Sequence, residues 1–268
     1  MGGIEVRRLN LADREATELV VARAFPGINP AGIVERELSL APETCFVAMV
    51  DDAIAGMACA VQYGRWAYIG PMAVDPKSQG KGIGRLLFER MVEALESRGC
   101  WTMMLDATEA GEPLYRKFGF VEWTRTLDLG RKAGPGIVRM PASPDFDMVL
   151  QMDRRVFGAP REPVFRRFLE QEGAALYSNS SAYLLAQTKL LGPFAGFSPD
   201  AAARVLDGAL NAGAVASRVL APVENREAEP LLGSRGFEVQ REVKHMRRGR
   251  PAAMRRDLMY GLASFALG

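Results

Sequence analysis

The stretch from Ala73 to Met91, AVDPKSQGKGIGRLLFERM, holds residues whose types and spacing imply chemistry. A strand-like run ends at Val74, and Gln79-Gly80-Lys81-Gly82-Ile83-Gly84 follow as a loop. Ile83, Leu86, Leu87, Met91, Ala94 and Leu95 then recur at helical spacing. Glycines let a backbone turn tightly, so that several N–H groups converge on one anion. A helix N-terminus adds unsatisfied donors and positive dipole character. The fitting guest is a pyrophosphate. No Gly-Lys-Ser/Thr stands at the spacing of a Walker loop. The dinucleotide fingerprint is excluded as well, because it follows the first strand of a βαβ unit and needs an acidic residue downstream. A plain glycine-rich helix start remains open at this point.

Around this loop the sequence sets out its supporting elements. Cys45 to Met49 reads as a strand, Asp51-Asp52 as a turn, and Ala53 to Tyr63 as the returning strand of a hairpin. Trp66 to Val74 is another strand, closed by Asp75-Pro76 because proline cannot continue a ladder. The helix from Gly82 to Ser97 stops at Gly99. Trp101 to Ala107 reads as a strand and Pro113 to Phe118 as a short helix. Antiparallel strands followed by a strand–helix–strand unit predict an α/β fold on a mixed sheet.

The chain also repeats itself. Val6, Arg7, Asp13, Arg23 and Phe25 match Val138, Arg139, Asp145, Arg155 and Phe157 without a gap. Ile69-Gly70-Pro71 matches Leu191-Gly192-Pro193. Glu112-Pro113-Leu114 and Gly119-Phe120 match Glu229-Pro230-Leu231 and Gly236-Phe237. Three matches in one order predict a duplication. The Gly-, Lys- and Arg-rich stretch from Asp128 to Gly136 is its natural boundary, giving domains at 1–130 and 131–268.

Gln79-x-x-Gly82-x-Gly84 after a strand ending Ala73-Val74 resembles the acetyl-CoA motif of the GNAT N-acetyltransferase superfamily. Leu114-Tyr115-Arg116-Lys117-Phe118-Gly119-Phe120 resembles that family's other landmark. The resemblance covers residues 4–128 and implies two such domains in tandem, a catalytic one and a degenerate one. It implies that backbone around Met72, Ala73 and Val74 pairs with the pantetheine arm. The amides of Gln79, Gly80, Lys81, Gly82, Ile83, Gly84 and Arg85 would cradle the pyrophosphate. It also implies that Tyr115 protonates the departing thiolate. Acetyl-CoA is then a substrate, no metal is needed, and the acceptor is a primary amine, a small molecule being favoured. A non-catalytic acetyl-CoA sensor and a protein lysine or N-terminal acetyltransferase are the alternatives.

Two positions depart from the family pattern. Thr108 stands where many relatives place an asparagine that helps hold the cofactor. Tyr68 stands where some relatives carry a glutamate base, and a phenol of pKa about 10 is a poor base at neutral pH. Tyr68 therefore reads as a packing or substrate-lining residue. The base is left to water, to a side chain such as Glu112, or to nothing.

In the second half the loop is missing. Gly70 and Gly119 are 49 positions apart, whereas Gly192 and Gly236 are 44 apart, five fewer. Ser198-Pro199-Asp200 leads straight into a helix from Ala201 to Leu210, and Leu232 replaces Tyr115. Asn225 takes the place of Thr108 without its companions.

Composition sets outer limits. A formal net charge of +2 argues against a nucleic-acid or membrane partner, and the arginine cluster from Arg247 to Arg256 lacks interleaved aromatics. Three cysteines without CxxC or histidine pairing predict buried thiols in a reducing compartment. No run is long and apolar enough to span a bilayer, and no signal-peptide core is seen, so a cytoplasmic monomer or homodimer is expected. His245, the only histidine, reads as packed or solvated rather than catalytic, and Leu258 to Leu267 as a tail packing on a sheet or capping the cleft.

Overall fold

A computed structural model describes residues 3–132 and 144–268. The first half runs β1 (Ile4–Arg8), α1 (Arg14–Ala24), α2 (Ile33–Leu40), β2 (Phe46–Val50), β3 (Ala53–Tyr63) and β4 (Trp66–Val74). It continues with α3 (Ile83–Ser97), β5 (Thr102–Ala107), α4 (Glu112–Lys117) and β6 (Val121–Gly130). The second half repeats the order as α5 (Phe146–Phe157), α6 (Glu162–Leu169), β7 (Ala175–Asn179), β8 (Ala182–Ala186), β9 (Leu191–Gly196) and α7 (Pro199–Asn211). It ends with β10 (Arg218–Pro222), α8 (Ala228–Gly233), β11 (Glu238–Gly249) and β12 (Met259–Gly261). The duplicated residues hold duplicated posts. Asp13 and Asp145 both precede a helix, and Phe25 and Phe157 both close one. Val138 and Arg139, and residues 133–136 of the boundary stretch, lie outside the described residues.

The two halves share strands. One sheet runs β1-β2-β3-β4-β5-β11-β6-β10, and a second runs β12-β9-β8-β7. Strand β11 of the second half therefore lies between β5 and β6 of the first, while β6 lies between β10 and β11. Asp128, at the start of the glycine-rich stretch, is a buried member of β6. It binds Arg218 of β10 at 2.6 Å and Arg241 of β11 at 2.8 Å.

Local sequence explains the central strands. In β3 the run from Ala55 to Val61 is buried throughout, because α1 packs on one face and α3 on the other. Small residues permit that approach: a Cβ at Gly56 would meet Leu87 at 2.9 Å. The register of β3 with β4 steps from Ala58↔Met72 to Ala60↔Ile69, an extra residue on β4 at Gly70-Pro71. Such a bulge bends a strand. The same step recurs on β9 at Gly192-Pro193, between Leu184↔Phe194 and Ala186↔Leu191. Both X–Pro bonds are cis. No helix of the described residues is long and apolar enough to cross a membrane.

Candidate active site

Strands β4 and β5 pair in parallel for only three positions, Trp66↔Thr102, Ala67↔Met103 and Tyr68↔Met104. Past the bulge at Gly70-Pro71 they part, leaving the main chain of Met72, Ala73 and Val74 facing a wedge-shaped gap. Asp75 pins the end of β4. Its carboxylate accepts from the amide of Lys77 at 3.0 Å and binds Arg23 of α1 at 2.9 Å. The Arg23 hydrogen bond, then the Lys77 amide, hold that carboxyl below its ordinary value. Gln79 folds back, donating from Nε2 to the carbonyl of Val74 at 3.1 Å. From the sequence, Asp75 is expected only to end a strand. Its signal as an anchor was present in the Asp-Pro pair, a side-chain cap preset for a turn.

Gly80 and Gly82 follow with φ of 77° and 84°, and a Cβ at either would meet nothing within 4 Å. Gly82 is the N-cap of α3 and contributes no side-chain cap. Among the described residues no acceptor, main-chain or side-chain, takes a hydrogen bond from the amides of residues 79–85. Lys81 and Arg85 are exposed beside them. An uncapped fifteen-residue helix behind a left-handed glycine pair, with unused amides, fits the diphosphate of coenzyme A.

On the α3 face of the gap, Tyr115 is 9% exposed and packs on Phe88, with its hydroxyl 3.8 Å from Met72 Sδ. Burial pushes this phenol up to about 12. It holds its proton at neutral pH, as a donor must. Thr108 Oγ1 accepts from the Gly111 amide at 3.2 Å, which shapes the turn into α4 and leaves the hydroxyl proton for another partner. Glu112 does not suit a base. Its carboxylate binds Lys244 at 2.7 Å and Arg116 at 2.7 Å, which hold its pKa below the ordinary value. Tyr68 is fully buried on the opposite face and donates to Asp106, and burial holds its pKa well above the ordinary phenol value.

The second half keeps the bulge but lacks the glycine loop, the Asp75 anchor and the tyrosine. Residues 197–198 alone separate β9 from α7, and Ser198 Oγ accepts from the Ala201 amide at 3.2 Å, closing the helix end. Phe197 takes the position of Asp75, and Arg155, the counterpart of Arg23, stacks on it at 4.7 Å. Leu232 is buried where Tyr115 stands. The gap between β9 and β10 is filled by the protein itself. β12 pairs with β9, Leu262 donates to the Leu220 carbonyl at 2.8 Å, and Asn225 holds the Met259 carbonyl at 3.0 Å. Beyond β12 the tail continues onto the first half, where a Cβ at Gly70 would lie 2.8 Å from Ala266 Cα. The tail thus packs on a sheet and also bridges the halves.

Both halves of the chain resemble known proteins. Residues 15–120 match the acetyltransferase (GNAT) family, and residues 149–261 match a second acetyltransferase (GNAT) domain. The chain belongs to the GNAT acetyltransferase family. It carries two GNAT domains in tandem. A structure from Pyrococcus horikoshii, provisionally assigned as an acetyltransferase, covers 100% of this chain and 97% of its own, with TM-score 0.88 and 27% identity. Glucosamine 6-phosphate N-acetyltransferase of Trypanosoma brucei brucei is 36% identical over 62 residues, 23% of this chain and 42% of that protein. The ribosomal protein bS18-alanine N-acetyltransferase of Salmonella typhimurium is 41% identical over 56 residues, 20% of this chain and 38% of that protein. This GNAT chain thus spans about two fifths of the length of these curated relatives.

Proposed function

We propose that the protein transfers an acetyl group from acetyl-CoA to a primary amine, and that the first half alone holds the coenzyme. The observation that carries this reading is the row of unused amides from Gln79 to Arg85, beside strands that part at Gly70-Pro71. In this reading main chain at Met72, Ala73 and Val74 pairs with the pantetheine arm, and Thr108 offers its hydroxyl proton to it. Lys81 and Arg85 add charge at the rim.

The amine attacks the thioester carbonyl directly, the C–N bond forms and the C–S bond breaks. Tyr115 donates its proton towards sulfur as negative charge develops there. An ordinary thiol has a pKa near 8.5, below this phenol at about 12. The same burial that raises the phenol also raises a departing thiolate, which narrows the difference. A strong hydrogen bond in the transition state is the main contribution. A pure sensor needs the amide cradle but has no use for a hydroxyl at this place.

A small acceptor is favoured because the face opposite α3 is covered. Tyr63, Trp66 and Tyr68 share one apolar cluster with α5, α6 and the tail, so the second half walls the acceptor side. The test is release of free thiol from acetyl-CoA against glucosamine 6-phosphate, a polyamine and an alanine-initiated peptide. Amine-dependent release, greatest for a small amine, is expected. Tight acetyl-CoA binding with no amine-dependent release would establish a sensor, and preference for the peptide would establish protein acetylation.

A further inference from the structure

The parting strands separate two polar groups, one on each face. Tyr115 belongs to the apolar cluster around α3. On the other face Tyr68, Asp106, Thr126 and His245 form a hydrogen-bonded group drawn from β4, β5, β6 and β11. Asp106 lies two residues beyond the last β4–β5 pair, in the part of β5 that has left β4. Its Oδ1 accepts from Thr126 Oγ1 at 2.8 Å and lies 3.2 Å from His245 Nδ1. Its Oδ2 accepts from the Tyr68 hydroxyl, which sits 3.4 Å from the same imidazole nitrogen. His245 Nε2 is buried and has no partner among the described residues.

Chemistry fixes the roles within this group. Asp106 can only accept when ionised, so Nδ1 carries the hydrogen and Nε2 keeps its lone pair. Burial first, then Arg256, depress the imidazole below 6.5 against the pull of Asp106, so it is neutral at pH 7. Burial would raise Asp106, but hydrogen bonds from His245 and Tyr68 and the charge of Arg256 outweigh it and hold the carboxyl low. The charges of Arg256 and Glu224 act on the ring from the segments before β12 and after β10, and Arg247 and Arg256 stack on Trp123 at 4.6 and 5.8 Å. Trp123, 36% exposed, stands 5.6 Å from the ring. A carboxylate-oriented imidazole with an unpartnered nitrogen is the usual form of a general base.

We infer that His245, reached from the second half by the exchanged strand β11 and oriented by Asp106, is the base that takes the proton from the acceptor ammonium. This rests on the acetyl-transfer reading above. The ammonium gives one proton to Nε2, and the freed amine attacks the carbonyl. As the C–S bond breaks, Tyr115 protonates sulfur, and the second amine proton, lost as the amide forms, restores the phenol. The imidazolium returns its proton to solvent, so one proton is released per turnover. The second half would then keep its place in the fold by completing the site.

Because His245 is the only histidine, its titration can be read directly in the intact protein labelled with 15N-histidine. The kcat/KM for acetyl-CoA with the best amine of the panel above should fall on the acid side. Its apparent pKa should lie below 6.5 and match the ring titration seen by NMR. His245→Gln should lower kcat/KM at least a hundredfold at pH 7 with acetyl-CoA affinity unchanged, and should remove that acid limb. Asp106→Asn, a change at a positioning residue, should move the limb to lower pH. If His245→Gln fails to fold, the wild-type comparison still decides: a kinetic pKa that differs from the NMR value overturns the assignment. So does wild-type kcat/KM in His245→Gln. Wild-type protein that transfers no acetyl group to any amine would instead remove the reading of the whole site.

Discussion

At Tyr115 the ring and the hydroxyl do separate things: the ring packs on Phe88, and the oxygen points to Met72 at the gap. Tyr115→Phe keeps the first and removes the second. Turnover should fall at least tenfold, about 1.4 kcal/mol of barrier, while calorimetry finds acetyl-CoA affinity nearly unchanged. Full turnover in that variant would leave the residue with packing alone. Tyr115 was legible because it sits in a seven-residue landmark, and Tyr68 because register marks its place. The Asp106–His245 pair was not. Those residues are 139 positions apart and meet only through strand exchange, which no local pattern encodes. A lone histidine in a strand gives no hint of a carboxylate on the neighbouring one.

Among the elements, the loop from Asp75 to Gly82 is the one that the proposal makes decisive for where the coenzyme goes. Gly82 is left-handed, with open space where a side chain would project. Gly82→Glu would be strained there and would add a negative charge, so coenzyme A binding should be lost with the fold retained by circular dichroism. Strand β6 carries a second test. Burial would raise the Asp128 carboxyl, but hydrogen bonds from Arg218 and Arg241 prevail and hold it low. A carboxyl depressed in the folded state stabilises above its unfolded pKa near 3.9, and that benefit is lost as pH falls through the folded value. Asp128→Asn should therefore destabilise by about 1–3 kcal/mol at pH 7 in urea unfolding, with the difference fading below about pH 4. Local chemistry made these elements readable. The strands at 53–63 and 66–74 are bounded by turn and proline signals, and the glycine loop by its own spacing. β6 was obscured because its last residues, Asp128 to Gly130, share the glycine-rich composition of a linker.

For the whole molecule, the two repeated halves exchange strands, and on the proposal above they build one site together. The first half without β11 would leave β5 with a bare edge and β6 without either neighbour. Residues 1–130 produced alone should therefore fail to reach a cooperative thermal transition, or should aggregate through the exposed edge, and should lose acceptor turnover. An intact transition with full turnover would show that the exchange is dispensable. The duplication was visible in short matched strings, and so was the deleted loop. The exchanged order was not, because β6 and β11 are alike in pattern and either could pair at home. The filling of the second cleft by β12 depends on a tail whose partners, β9, Leu220 and Asn225, lie far from it in sequence. Stoichiometry tests the central claim most directly. Titration calorimetry of the full chain with acetyl-CoA should give one site, and the Gly82→Glu chain should give none. Two equivalent sites, or a site that survives Gly82→Glu, would contradict the assignment of the coenzyme to the first half.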